Sequence, residues 1–427
     1  MFKKIILGGV STAAILMAGS ALAAGSTSTV HQTGTSQSAG VDQTGSSSGA
    51  VSTITQSDGY NNAGVVQSGA GNHATIDQSQ GAFGVVRFPS NLSNSTQSGV
   101  NGVVTVTQVG NSTSTINQGG SSEHAIVIQN NNLSTSSISQ TGSSELGLVN
   151  QEGGTGNTAA IAQSGSGDGI DQGAGAGGNL AWQENLPTNQ AYGFDGAVIN
   201  QIGSNNTGSV IQDGVHNFAD VSQEGNSNYG STTQGSGVDH SDAVMYQLGD
   251  SNTVALVQSG VGTSYSTVAQ QGNSNQAYAN QAGSNRSVIL QGTTAEFTGG
   301  PASNGSFASV NQTNTGGAQN TSRVEQHAAS IAYVTQVGVN NASQVLQTSL
   351  SGGSRADVYQ LAYNNVSTVT QNSGSNQATV NQWSNDNHSD VTQEIGTFNT
   401  ATVNQFTSGN TSTVYQGGSG NVTYVYQ

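Results

Sequence analysis

The chain of 427 residues contains no cysteine, so neither a disulfide nor a thiolate metal site holds it together. It has only three prolines, aromatic residues are 5%, charged residues 7% and hydrophobic residues 33%. That is too little apolar material for a conventional globular core. Disorder driven by self-repulsion is also disfavoured, because so few residues carry a charge. Cations are scarcest, with six Lys and Arg against 22 Asp and Glu. Lys3 and Lys4 precede an apolar run over residues 5–17 and then small residues ending Ala21-Leu22-Ala23. This reads as a secretory signal, residues 1–23, that directs residues 24–427 out of the cell. A retained anchor is the alternative, but the run is short and broken by Gly8, Gly9, Ser11 and Thr12. No later segment is apolar enough to span a bilayer as a helix, so a transmembrane protein is not expected. Without the signal only Arg87, Arg286, Arg323 and Arg355 remain as fixed cations. Nucleic acid is therefore not expected as a partner, since little can neutralise its phosphates.

What the sequence has in abundance is glutamine at a fixed period. Thirty-four glutamines can be placed from Gln32 to Gln427, and 19 of the 33 intervals are eleven residues long. Such a period marks a stacked, quasi-one-dimensional array. Two residues before the glutamine, 30 of the 34 repeats carry Val, Ile, Leu or Met. The residue four before is usually small. Six before, 18 repeats carry Asn, and two after, 18 carry Gly. All these offsets are even, so the marked residues share one face of an extended strand. The residues between them are mostly Thr, Ser, Asn and Asp, which suits a solvated outer face.

A Gly/Ser/Asn cluster follows each glutamine and reads as a tight turn. The fold class expected is all-β: a β-solenoid of strand-turn-strand rungs, roughly 22 residues each, stacked about 4.8 Å apart as in cross-β structure. Residues 24–427 form one domain on this reading. Amide ladders are expected from Gln67, Gln78, Gln201, Gln212, Gln258, Gln371, Gln382, Gln393, Gln405, Gln416 and Gln427. Asn72, Asn206, Asn252, Asn376, Asn399, Asn410 and Asn421 are expected to bond along the stack with them. A thin apolar seam is expected from Ile76, Val210, Leu256, Val369, Val380, Val391, Val403, Val414 and Val425. Helix is disfavoured by the Gly, Ser, Thr and Asn content and by the alternation.

Pro89, Pro187 and Pro301 fall in the three longest gaps, Gln78 to Gln97, Gln183 to Gln201 and Gln291 to Gln312. Proline cannot donate to a ladder, so these gaps read as degenerate repeats or protruding loops. The segment from Phe83 to Phe88 could still form a strand, with Arg87 in the glutamine position.

The pattern Q-x-G-x-x-N-x-A-x-V-x-Q, seen from Gln67 to Gln78 and approximated from Gln201 to Gln212, resembles the curlin repeat. Nearly the whole of residues 24–427 carries it. The resemblance implies a secreted β-solenoid subunit of bacterial extracellular amyloid fibres, curli, that act in adhesion and biofilms. It implies self-association into a homopolymer, with a nucleator subunit and a curli-type secretion system as partners. In that family the repeat glutamines and asparagines form the ladders. This chain has several times more repeats than a typical curlin. It also has no obvious separate segment between Ala23 and the first repeat at Val30 and Gln32. The last repeat places Asn421, Val425 and Gln427 in its pattern, and a stack without caps exposes strand edges that recruit further strands.

Other functions have weaker support. The seven histidines are scattered over different repeats. The dense cluster Asp239-His240-Ser241-Asp242 could contact a metal, but sequential neighbours seldom converge on one ion. Gly167-Asp168-Gly169-Ile170-Asp171 is solitary, where calcium-binding glycine repeats need a nonapeptide array. Neither catalysis nor a cofactor is expected. A monomeric adhesin, or a carbohydrate- or ice-binding rod, is the rival to a fibre subunit. Outward threonines such as Thr105, Thr107, Thr400 and Thr402 do not recur on one fixed column, which disfavours an ice-binding array.

Overall fold

A computed structural model describes residues 7–8, 26–35, 37–59, 61–79, 91–165, 196–295, 298–299, 304–348 and 353–427. The chain falls into two compact units, Met1–Gly177 with Tyr192–Asp220, and Gly178–Ala191 with Val221–Gln427. Each is an all-strand β-solenoid.

In the first unit, alternate strands feed alternate sheets. One sheet takes Leu7–Gly8, Thr27–Thr35, Val51–Gly59, His73–Ser79, Val103–Val109 and continues through His124–Asn132 and Leu146–Thr155 to Gly196–Ile202. The other takes the intervening strands, from Ser38–Ser48 and Asn62–Ala70 to Thr158–Gln163 and Thr207–Val215. All these pairings are parallel and match repeat to repeat: Val127 lies beside Val149, and Gln129 beside Gln151. The second unit repeats the plan. One sheet runs from Asp242–Leu248 to Thr411–Gly417, and the other from Tyr229–Asp239 to Val422–Tyr426.

The alternation in sequence becomes alternation in burial. Gln377–Gln382 reads exposed, buried, intermediate, buried, intermediate, buried, with Ala378, Val380 and Gln382 inward. Most strands therefore contribute one small residue, one apolar residue and one glutamine to the interior. Where a seam residue is large, its opposite number is small: a Cβ on Gly230 would fall 2.6 Å from the sulfur of Met245.

The turns have two left-handed positions. One is two residues past the glutamine, usually Gly, as at Gly249 and Gly272. The other immediately precedes the asparagine position and is taken by Ser251, Ser274, Asn364 and Ser375. Small polar residues tolerate this region best.

Across the long gaps the flanking strands pair with each other directly. Asn62–Ala70 pairs directly with Leu92–Gln97, so the intervening residues are absent from that ladder. Likewise Leu146–Thr155 pairs with Gly196–Ile202. Gln151 and Gln201 thus become stacked neighbours, and the repeat glutamines at 172 and 183 lie outside the described residues. All three prolines and the proposed strand from Phe83 to Phe88 lie outside the described residues, as does the signal segment apart from Leu7–Gly8. In the third gap, Thr293–Ala295 and Thr298–Gly299 form a short antiparallel pair.

Candidate functional site: the stacked amide columns

Every expected glutamine lies in a continuous hydrogen-bonded column within its unit. In the second unit one column runs Gln234, Gln258, Gln281, Gln312, Gln336, Gln360, Gln382, Gln405, Gln427, with amide-to-oxygen distances of 2.7 to 3.2 Å. Its companion includes Gln347, Gln371, Gln393 and Gln416, at 2.8, 2.8 and 2.7 Å. In the first unit Gln78 bonds Gln108, Gln67 bonds Gln97, and Gln163 bonds Gln212, at 2.8, 2.7 and 2.9 Å. Gln151 bonds Gln201 at 2.8 Å across an interval of 50 residues. Elsewhere the step is as short as 21 and commonly 22 to 24 residues.

The columns have a direction. In each of these bonds Nε2 of the earlier glutamine donates to Oε1 of the later one. The second amide hydrogen crosses the interior to the opposite sheet: Gln371 donates to the Arg355 carbonyl at 3.0 Å, and Gln382 to the Val366 carbonyl at 2.9 Å. One side chain thus links successive coils and also ties the two sheets together. The period in the sequence indicated the first role. The second depends on the strand-turn-strand path and was missed.

The asparagines work differently from an amide-to-amide ladder. Oδ1 of Asn252 accepts the backbone N–H of Asn275 at 3.0 Å, while Nδ2 donates to the Gly272 carbonyl at 2.7 Å. Asn399 does the same with Asn421 and Gly418, at 3.0 and 2.7 Å, and Asn72 with Gly102 and Gly99, at 2.9 and 3.0 Å. Asn206 and Asn410 give their backbone N–H to the oxygens of Asn157 and Asn387, and Asn376 accepts from Asn399. Asn72, Asn252 and Asn399 thus clamp the turn of the next coil, whereas Asn376 and Asn410 donate within their own turns, to Ser373 and Thr407.

Serine serves where asparagine is absent. The Ser264 hydroxyl donates to the Gly283 carbonyl at 2.6 Å, and the Ser241 hydroxyl accepts the Ser264 N–H at 2.8 Å. Ser241 therefore belongs to the turn scaffold. Its neighbours Asp239 and His240 meet in an exposed contact, Nδ1 to carboxylate oxygen, at 2.6 Å. Burial pushes the Asp242 carboxyl up to about 6, opposed by His240.

The seam residues Ile76, Val210, Leu256, Val369, Val380, Val391, Val403 and Val414 are all buried. Val425 is only half-buried, as are Asn410 and Asn421, and Gln427 is exposed. The strand Val422–Tyr426 pairs with Thr400–Gln405, and among the described residues no further strand covers its other side.

Two glutamates occupy the asparagine position. Glu123 and Glu145 are 1% exposed, in successive coils. Oε1 of Glu123 accepts the Gly120 N–H at 3.0 Å, while its Oε2 is buried without a partner. Burial pushes this carboxyl up to about 7, against the lowering effect of that N–H. Counting back six residues from Gln129 and Gln151 would have located both.

On the outer face, charges pair two residues apart along single strands. Arg323 meets Glu325 at 3.0 Å, Arg355 meets Asp357 at 2.8 Å, and His388 meets Asp390 at 2.9 Å. Aromatics also stack outward, as in Tyr278, Phe307 and Tyr333, and in Tyr359, Trp383 and Phe406.

No protein-family model and no curated protein matches this chain.

Proposed function

We propose that this chain is the secreted structural subunit of curli-like extracellular amyloid fibres at the bacterial cell surface, serving adhesion and the biofilm matrix. The observation that supports this best is the direction of the glutamine columns. A coil with amide nitrogens on one side and amide oxygens on the other complements any coil of the same pattern. A second copy is therefore accepted head to tail, with backbone ladder and side-chain column continuing in register. The extending partner is a second copy of the chain. A nucleator subunit and a curli-type secretion system complete the proposal.

The test is assembly of residues 24–427 diluted from denaturant. Thioflavin-T kinetics with a lag, seeding by preformed fibres, and reflections near 4.7 and 10 Å are expected. A monodisperse β-rich monomer that cannot be seeded would overturn the reading and leave a stand-alone adhesin.

A further inference from the structure

In a chain with a formal net charge of −16, two arginines converge on one outer face. Arg286 and Arg323 line a shallow groove of about 500 Å³ in the second unit. They are diagonal neighbours, since Arg286 pairs with Thr321 and Val288 with Arg323 in adjacent strands. Their backbones are thus roughly 8 Å apart, one strand spacing by two residues. Arg323 already has Glu325, but Arg286 is exposed and has no acidic partner among the described residues.

The floor of the groove is unusual for this surface. Val288 is 6% exposed although it occupies an outward column, and its neighbours Ala269 and Leu290 are buried with it. The strand Thr293–Ala295 lies against the strands that carry them. Beyond it the floor continues over Ala342 and Val366, flanked by Thr321, Gln344 and Thr368.

We infer that this groove binds a linear, carboxylate-bearing polysaccharide. The backbone beneath is paired on both sides, from Tyr265–Gln271 through Asn285–Gln291, Asn320–Gln326 and Ala342–Gln347 to Val366–Gln371. An extended peptide therefore finds no main-chain groups to bond. Recognition is left to side chains: guanidinium forks for carboxylates, amide and hydroxyl groups for sugar hydroxyls, and a low apolar floor for the C–H faces of the rings. A polymer with regularly spaced carboxylates presents one to Arg286 wherever it enters the groove, while Arg323, held by Glu325, lends its positive edge to the neighbouring unit. The groove does not depend on polymerisation, so soluble chain and fibres serve equally as the sample.

The experiment titrates a hexameric oligogalacturonate, and a neutral hexasaccharide of the same length, against the full chain. Arg286→Gln is compared with Arg355→Gln, a paired arginine on the other sheet. Saturable binding of the uronate alone is expected, at least tenfold weaker in Arg286→Gln, unchanged in Arg355→Gln and reduced by added salt. Gln344→Ala, which alters no charge, is expected to lose a few-fold. Absence of saturable binding, equal binding of the neutral sugar, or equal loss in both arginine variants overturns the proposal. An acidic peptide binding as tightly as the uronate would also overturn it.

Discussion

Asn252 donates its side-chain amide to the carbonyl of Gly272, 2.7 Å away and twenty residues along the chain. The same side chain accepts the N–H of Asn275 at 3.0 Å. A turn in this fold is thus held by a residue from the preceding coil, which supplies one donor and one acceptor in fixed positions. This accounts for the choice of residue. Asparagine and serine have both functions, alanine has neither, and an ionised carboxylate has only the acceptor.

Substitution at Asn252 should follow that order. Asn252→Ser keeps both functions and is expected to cost about 1 kcal/mol or less. Asn252→Asp turns a lone pair toward the Gly272 carbonyl and should cost about 2–4 kcal/mol at neutral pH. Amide hydrogen exchange across Thr253–Ser259 reads the difference locally, which suits a solenoid whose coils open separately. Equal protection in the two variants would count against the clamp.

The turn glycines make a separate prediction. A Cβ on Gly249 would collide with the carbonyl oxygen of Gly272, whereas a Cβ on Gly305 would meet nothing within 4 Å. Both have positive φ, +116° and +72°. Gly305→Ala should therefore lose about 1 kcal/mol for the backbone conformation alone. Gly249→Ala should lose more than about 2 kcal/mol, because two adjacent turns must also separate. Hydrogen exchange in the flanking coils separates the cases.

This pair shows where the sequence could be read and where it could not. The even offsets around Gln371 and Gln382 placed the seam, the columns and the solvated face, because strand side chains alternate whatever the neighbours are. The glycine two residues later was legible as a turn, but its stacking against the glycine of the next coil was not, since that contact crosses some twenty residues. The pairing of Gln151 with Gln201 was hidden for a related reason. Between these two the sequence marks a gap only from Gln183 to Gln201, and its spacing does not reveal that Gln151 and Gln201 become stacked neighbours. Val425 and Gln427 carry the full pattern, yet their burial depends on a neighbour that the pattern does not name.

Breaking one column in its interior should be costly. Gln360 takes the amide of Gln336 at 2.7 Å and gives its own to Gln382 at 2.8 Å. In Gln360→Ala, Gln336 keeps a bond to the Thr321 carbonyl at 2.9 Å, but the buried oxygen of Gln382 loses its donor. A loss of about 2–4 kcal/mol is expected, including the cavity. Thr335→Ala, on the outer face of the adjacent strand, should stay within about 1 kcal/mol. Shifts in urea midpoint of the soluble chain check the contrast.

Assembly should be sensitive to the same groups. Replacing Gln416 and Asn421 by Ala is expected to lengthen the lag of fibre formation, while replacing the outward Thr402 leaves it nearly unchanged. Lag times that match would argue against extension through the amide columns.

Glu123 should make one coil pH-sensitive. Its carboxyl moves from 4.5 in the unfolded chain to about 7 in the fold, so the native state holds the proton more tightly. The contribution is therefore complete below about pH 4.5, declines as pH rises toward 7, and is absent above that. The span corresponds to about 3 kcal/mol at most. Among the described residues the adjoining coils supply no counter-charge. Glu145 in the next coil is another acid, the coil before has no charged residue between Ser98 and Gln118, and burial lowers the pKa of His124 and favours its neutral form. Glu123→Gln replaces the carboxyl with a permanent donor of similar length. Exchange protection of His124–Asn132, corrected for intrinsic rates, should fall between pH 5 and 7.5 in the parent chain and stay level in Glu123→Gln. Parallel pH profiles would mean that the carboxylate finds a partner once ionised, and that the asparagine position does not require a donor.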